Sequence, residues 1–248
     1  MTEPDTGPIL NPALDGAALA RLYGAAGRLH IAGIMTEPSA KALHDVIATF
    51  ADWNLSLRKG DGDHSIPPEQ RRHMSADQMA TLRRLIDMSA TQGFQYLFEN
   101  YPIYDACHAG IAPPAFRQLF DFLNGEAFLG LMRQITGHSD IGFADAQVTR
   151  FTAGDFLTTH DDDVDGKDRR AAYVLNLTPS WRADWGGILQ FLDGDGHVEA
   201  GFVPSFNALN LFSVPKLHAV SQVSTFSPGA RLSVTGWLRA GKDPGPAQ

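Results

Sequence analysis

Apolar residues recur at helical spacing through much of the first half of the chain. Asp15 stands where a helix N-cap would, ahead of Leu19, Leu22 and Tyr23. Leu29–Met35 is a short apolar run that reads as a strand. A second helix is expected after Thr36, with Pro38 in its first turn and Leu43, Val46, Ile47 and Phe50 on one face. Trp53, Leu55 and Leu57 alternate with polar residues and predict a strand. Ser75 and Gln78 are spaced as a capping box for a helix carrying Met79, Leu82, Leu85 and Met88. Residues 94–98 (FQYLF) read as another strand. Two more helices follow, one with Phe116, Leu119, Phe120 and Leu123, the other with Phe128, Leu131 and Ile135. Asn124-Gly125 divides them and Gly137 closes the second.

From about Ile141 the pattern changes. Short strand-like runs alternate with turn signals: 146–151 (AQVTRF), 155–160 (DFLTTH), 169–177 (RRAAYVLNL), 186–192 (GGILQFL), 208–212 (ALNLF), 218–226 (HAVSQVSTF) and 230–238 (ARLSVTGWL). Many short strands at this spacing predict a sandwich or jelly roll. Helices first and strands second make an α+β chain, in which a helical half at 13–138 braces a jelly-roll core at 139–240. Residues 13–240 are expected to form a single domain. Flexible ends are expected at 1–12 and 241–248, which are rich in Pro, Gly and polar residues.

The 248 residues are 44% hydrophobic and 19% charged, which suits one large core. The formal net charge is −8 and Lys/Arg gather in no stripe, so nucleic acid is not an expected partner. Cys107 is the single cysteine, which excludes an internal disulfide and a cysteine-built zinc site. The N-terminus lacks a basic start leading into an apolar run, so no signal peptide is expected. No apolar stretch reaches the roughly 18–20 residues that a membrane span needs. The expectation is a cytoplasmic protein with no membrane partner; the sequence leaves its oligomeric state open.

The strongest chemical signal is His160-Asp161-Asp162, then His218, then Arg231-Leu232-Ser233. His-x-Asp on or just after a strand can aim both side chains at one point, because residues i and i+2 share a face. A histidine from a facing strand can complete two nitrogens and one carboxylate around a metal. That is the facial set of non-haem Fe(II) oxygenases, which leaves three coordination positions open. The keto-acid end of 2-oxoglutarate can take two and O2 the third. The far carboxylate of 2-oxoglutarate then needs a cation, and Arg231 offers a fork that matches a carboxylate bidentately. Ser233, on the same strand face, adds a hydroxyl. Each piece alone has an ordinary explanation: a solvated acidic loop at Asp161–Asp163 and Asp165, a buried structural histidine, a salt-bridging arginine. What outweighs these is the ordered set of His-x-Asp, Gly186-Gly187, a late His, and Arg-x-Ser-x-x-Gly-Trp at 231–237.

Residues 158–177 (TTHDDDVDGKDRRAAYVLNL), 181–192 (WRADWGGILQFL) and 230–239 (ARLSVTGWLR) resemble the catalytic domain of 2-oxoglutarate-dependent prolyl hydroxylases. The ribosomal-protein prolyl hydroxylases and their bacterial relatives are most similar, and the oxygen-sensing prolyl hydroxylases more distant. The motifs span about Gln147–Arg239. The resemblance implies a double-stranded β-helix, a cupin-like jelly roll supported by helices. It implies Fe(II) held by His160, Asp162 and His218, with 2-oxoglutarate anchored by Arg231, O2 as the other co-substrate, and ascorbate as an optional addition. It implies that 13–240 is a catalytic domain that hydroxylates a C–H bond, favouring a prolyl residue of a protein. Two alternatives stay open: a hydroxylase of a free amino acid or small natural product, and a non-catalytic metal-binding jelly-roll module.

In that family tyrosines that hydrogen-bond 2-oxoglutarate commonly stand where this chain has Phe151 and Asn176. Phe151 cannot donate; Asn176 can, through its amide. A rebuilt co-substrate pocket is therefore expected, with Asn176, Ser233 or Thr149 replacing the lost donors. Gln147, Thr149 and Phe151 share a strand face, as do Arg231, Ser233, Thr235 and Trp237. Gln147, Phe151 and Trp237 are assigned to the substrate pocket, with a core tryptophan as the competing reading of Trp237. Gly186-Gly187 either admits close backbone approach beside the metal or forms a simple bulge. Asp193–Gly196 is expected to be a hairpin turn, and Lys59–His64 a surface loop with the option of a substrate lid. Arg169 and Arg170 either bind an acidic substrate or balance the acidic loop before them.

Overall fold

The computed structural model describes residues 7–60 and 62–246. Its first half runs α1 (Gly16–Ala26), β1 (Arg28–Ala32), α2 (Glu37–Thr49), β2 (Asn54–Lys59), β3 (Gly62–Ile66), α3 (Pro68–Arg72), α4 (Ala76–Ala90), β4 (Tyr96–Tyr101), α5 (Ile103–His108), α6 (Pro114–Leu123) and α7 (Glu126–Thr136). The second half supplies β5 (Ile141–Ala144), β6 (Gln147–Phe151), β7 (Phe156–His160), β8 (Arg169–Asn176), β9 (Leu189–Leu192), β10 (Val198–Phe202), β11 (Ala208–Ser213), β12 (His218–Val220) and β13 (Arg231–Ala240).

Local chemistry sets several of these boundaries. The Asp15 carboxylate accepts the Ala18 N–H at 3.0 Å and starts α1. Ser75 and Gln78 close both halves of a capping box on α4. Gly137, at φ +76, ends α7 in the left-handed conformation that glycine adopts without steric cost.

All strand pairings are antiparallel, in the order β1-β11-β8-β13-β6-β4-β7-β12-β9-β10. The result is a nearly closed jelly-roll barrel with helices packed on it, an α+β architecture. β4 hydrogen-bonds to both β6 and β7, and so joins the two halves of the barrel. Strand β8 shows why its sequence is apolar almost throughout. Ala171, Tyr173 and Leu175 face outward into the core shared with Phe116, Leu119, Phe128 and Met132 of the helices. Ala172 and Val174 face the barrel interior with Phe151, Phe191 and Phe212.

The first half does more than brace the sheet, because it contributes four strands of its own. Within the stretch 59–64, expected as a surface loop, Lys59 belongs to β2 and Gly62–His64 to β3 of a hairpin; residue 61 lies outside the described residues. On α4 the buried stripe runs through Ile86, with Met79, Leu82 and Ala90 partly covered, whereas Leu85 and Met88 face solvent. The stretch 218–226 is a strand only over its first three residues. Of the ends expected to be flexible, residues 1–6 and 247–248 lie outside the described residues. Within 7–12, Asn11 hydrogen-bonds the Gly33 and Ile34 carbonyls; within 241–246, Asp243 accepts from Tyr104 and lies 3.1 Å from His108 Nε2. Among the described residues no helix is long and apolar enough to cross a membrane.

The Gly186-Gly187 pair packs against the 221–223 loop and Arg231, not beside the histidines. Gly186 has φ +70 and ψ −149, a region essentially closed to other residues, and an added Cβ would lie 2.0 Å from the Gln222 carbonyl oxygen. Gly186→Ala should therefore cost roughly 3 kcal/mol, about 6–12 °C in Tm. Gly196→Ala, at φ +85 with open space around it, should cost only about 1 kcal/mol. Thermal unfolding of the two variants tests the difference; equal losses would contradict it.

Candidate metal centre and its cavity

His160 is the last residue of β7 and His218 the first of β12, and the two are direct cross-strand partners. Their rings lie 4.1 Å apart between centroids. Asp162 reaches the same point by a different device from strand alternation. It sits just past β7 at φ +66, and this left-handed turn swings its carboxylate back toward both imidazoles. His160 Nε2 lies 3.2 Å from Asp162 Oδ1, and His218 Nε2 lies 3.3 Å from Asp162 Oδ2. One donor atom from each residue falls within 4.8 Å of the others, the only such grouping of His, Cys, Asp and Glu among the described residues.

The second nitrogen of each ring is already committed. Nδ1 of His160 donates to the Thr158 carbonyl at 3.0 Å, and Nδ1 of His218 to the Lys216 carbonyl at 2.7 Å. That fixes both rings with Nε2 aimed at the shared point. Burial pushes His218 down to about 4, so it is neutral at physiological pH. Burial works against the Asp162 charge, but His160, His218 and the Trp237 indole N–H outweigh it and hold the carboxyl below its usual range. The three groups close on a position that a proton or a cation must occupy, and their N,N,O chemistry suits a divalent transition metal.

This centre opens into a cavity of about 760 Å³. Gln147, Thr149, Phe151, Thr235 and Trp237 line it, as does Arg231. Arg231 is only 1% exposed and forms no ion pair with any described carboxylate; its Nε has no hydrogen-bond partner. Its guanidinium stands 5.1 Å from the centre of the Phe151 ring, and burial alone pushes its pKa down to about 10. A buried cation without an anion is costly, so this part of the cavity is built for a negatively charged group.

The other residues singled out in the sequence are distributed unevenly. Thr149 lines the cavity and shares a 2.9 Å hydrogen bond with the Ser233 hydroxyl. Ser233 and Asn176 are buried but do not reach the lining. The Asn176 amide donates to the Ala208 and Val174 carbonyls, and its Oδ1 is left without a partner. Phe151 stacks on Phe98 at 4.8 Å, and Gln147 accepts from Asn100 at 2.6 Å. Trp237 carries the Arg169 guanidinium on its face at 3.6 Å. Arg170 instead pairs with Asp140 on the outside.

Sequence reasoning missed the wall supplied by the first half. Asn54, Ser56, Arg58, Asp63, Tyr96 and Phe98 all line the cavity. Tyr96 donates to Asp63 at 2.7 Å and ties the β2–β3 hairpin to β4. Alternation along β2 and β4 could have indicated which residues face inward, but not that those strands join the barrel.

The 2OG-Fe(II) oxygenase superfamily model matches residues 146–239. Prolyl 3-hydroxylase OGFOD1 of Mus musculus is 34% identical over 120 residues, covering 46% of this chain and 22% of the relative. The chain thus spans about a fifth of the length of the curated relatives it matches. A Pseudomonas putida prolyl-4-hydroxylase structure superposes with TM-score 0.55 at 16% identity, covering 96% of this chain and all 100% of the other. A Trichoplax adhaerens prolyl hydroxylase, solved with a hypoxia inducible factor peptide fragment, gives 0.60 at 14% identity over 91% and 89% of the two chains. At these identities the superpositions speak to the fold. Residues 146–239 are thus similar to the 2OG-Fe(II) oxygenase superfamily, and the barrel they help to build has the fold of the prolyl hydroxylase structures.

Proposed function

We propose that this chain is an Fe(II)- and 2-oxoglutarate-dependent dioxygenase that hydroxylates a prolyl residue of a protein. The observation that most supports this is one cavity holding both an N,N,O donor set and a buried guanidinium without an anion. The named activity of the mouse relative supports the prolyl assignment.

His160, Asp162 and His218 would hold the metal, with their Nδ1–carbonyl bonds keeping the rings in place. Fe(II), bound with 2-oxoglutarate and O2, supplies the oxidation that places one oxygen atom on a substrate carbon and the other in succinate, with release of CO2. Arg231 would take the far carboxylate of 2-oxoglutarate, and its burial strengthens that pair by excluding water. Thr149 offers a hydroxyl from the lining, with Ser233 orienting it from behind. Asn176 would act indirectly, because its N–H groups already serve backbone carbonyls. Phe98, Phe151 and Trp237 give the cavity flat apolar walls suited to an uncharged ring, and Gln147 adds a polar edge. A reducing, cytoplasmic setting suits the buried, unpaired Cys107.

The test combines the purified chain, Fe(II), 2-oxoglutarate and a cell-protein extract. Succinate should form, and mass spectrometry should find one oxygen atom added at a proline of a discrete protein. Hydroxylation of a free amino acid alone would replace the protein-substrate assignment. No succinate with any substrate, together with unaltered metal content in His160→Ala, would end the dioxygenase reading.

A further inference from the structure

Asp162 pays for its position with an unfavourable backbone. At φ +66 it is one of three described non-glycine residues with positive φ, a conformation that costs about 1–2 kcal/mol and persists only where neighbours hold it. One neighbour is Arg169, whose Nη1 donates to the Asp162 carbonyl oxygen at 2.9 Å. Arg169 reaches inward because the β8–β13 register slips between Leu238 and Arg239, so that Arg239 pairs with Arg169 and skips Arg170. Its guanidinium lies flat enough on Trp237 to sit 3.6 Å from the ring centre.

Trp237 is itself seated. Its backbone N–H donates to Asp145 Oδ1 at 2.7 Å, and Asp145 also faces Arg239 at 3.8 Å. The indole N–H is buried without a hydrogen-bond partner in the same cavity lining as Asp162. Arg169 thus touches Asp162 through its backbone carbonyl while the Trp237 ring supports the guanidinium.

We infer that Arg169 is a positioning residue for the metal centre: its bond to the Asp162 carbonyl holds the turn that keeps the carboxylate in register with His160 and His218, and its stacking on Trp237 fixes the guanidinium that makes that bond. This rests on the metal-binding reading given above. Arginine is suited to the task because a planar fork can stack and donate at once; an ammonium can reach the carbonyl but cannot lie on the ring.

The test is Co(II) titration of the full chain against a competing chelator, with the Co(II) absorption spectrum as a second readout of ligand geometry. Wild type should bind one Co(II), and His160→Ala should abolish binding. Arg169→Met, which keeps the apolar stem and removes the donors, should weaken Co(II) binding roughly 10–100-fold and alter the spectrum. Arg169→Lys should recover part of the affinity. If Arg169→Met does not fold, Arg169→Lys decides: an intermediate affinity supports the inference, and wild-type affinity with an unchanged spectrum overturns it. Wild-type behaviour of a folded Arg169→Met also overturns it while leaving the metal centre intact. Absence of Co(II) binding by the wild type, or binding indifferent to His160→Ala, would remove the metal reading, and this inference with it.

Discussion

Arg231→Met is expected to make the ligand-free protein more stable while nearly disabling its use of 2-oxoglutarate. The guanidinium is buried, lacks a protein anion, and carries an unpartnered Nε. Exchanging such a charge for an apolar side chain of similar length should gain about 1–2 kcal/mol, a rise of roughly 2–8 °C in Tm. The same change strips the far carboxylate of a desolvated, bidentate partner. That loss is worth about 3–4 kcal/mol, so the KM for 2-oxoglutarate should rise roughly 10²–10³-fold. Thermal unfolding and succinate formation read the two effects separately. A variant that loses stability and keeps its KM would show Arg231 to be structural, and the anchor assignment would have to be withdrawn.

Asp162→Asn should be still more damaging to turnover. Asparagine tolerates the left-handed backbone at this position, so the turn is kept while the negative charge between the two imidazoles is lost. Succinate formation should fall by about 10³-fold or more, equivalent to at least roughly 4 kcal/mol of lost stabilisation. Metal content after desalting should fall in parallel, with the circular dichroism spectrum unchanged. Turnover within tenfold of wild type would mean that the carboxylate is not a ligand.

The parts of this molecule that were legible in the sequence are those where chemistry restricts the residue type. His160, Asp162, His218 and Arg231 stood out because the spacing of donors and cation matched one reaction. Caps at Asp15, Ser75 and Gly137 were readable for the same reason: few residues do those jobs. What stayed hidden depends on tertiary geometry. A β-bulge re-aims Arg169 inward, whereas strict alternation from Ala172 and Val174 would have turned Arg170 to that face. Asn176 has a suitable donor, but neighbouring carbonyls compete for it, which only the packed strands reveal. The α4 stripe was misjudged because Leu85 and Met88 lie at helical spacing beside Ile86, and only the docking partner decides which stripe is covered. Strands β1, β2 and β4 pair with strands distant in sequence, so local periodicity gave no sign that they belong to the sheet.

The double attachment of β4 has an implication for how relatives of this chain diversify. The stretch matched by the superfamily model carries His160, Asp162, His218 and Arg231, yet Tyr96 and Phe98 on β4, and Asp63 of the hairpin beside them, line the same cavity. Part of the cavity wall is therefore written in a segment apart from the one that holds the N,N,O set and the buried guanidinium. Exchange of the earlier segment between such proteins would reshape that wall while His160, Asp162, His218 and Arg231 stay as they are.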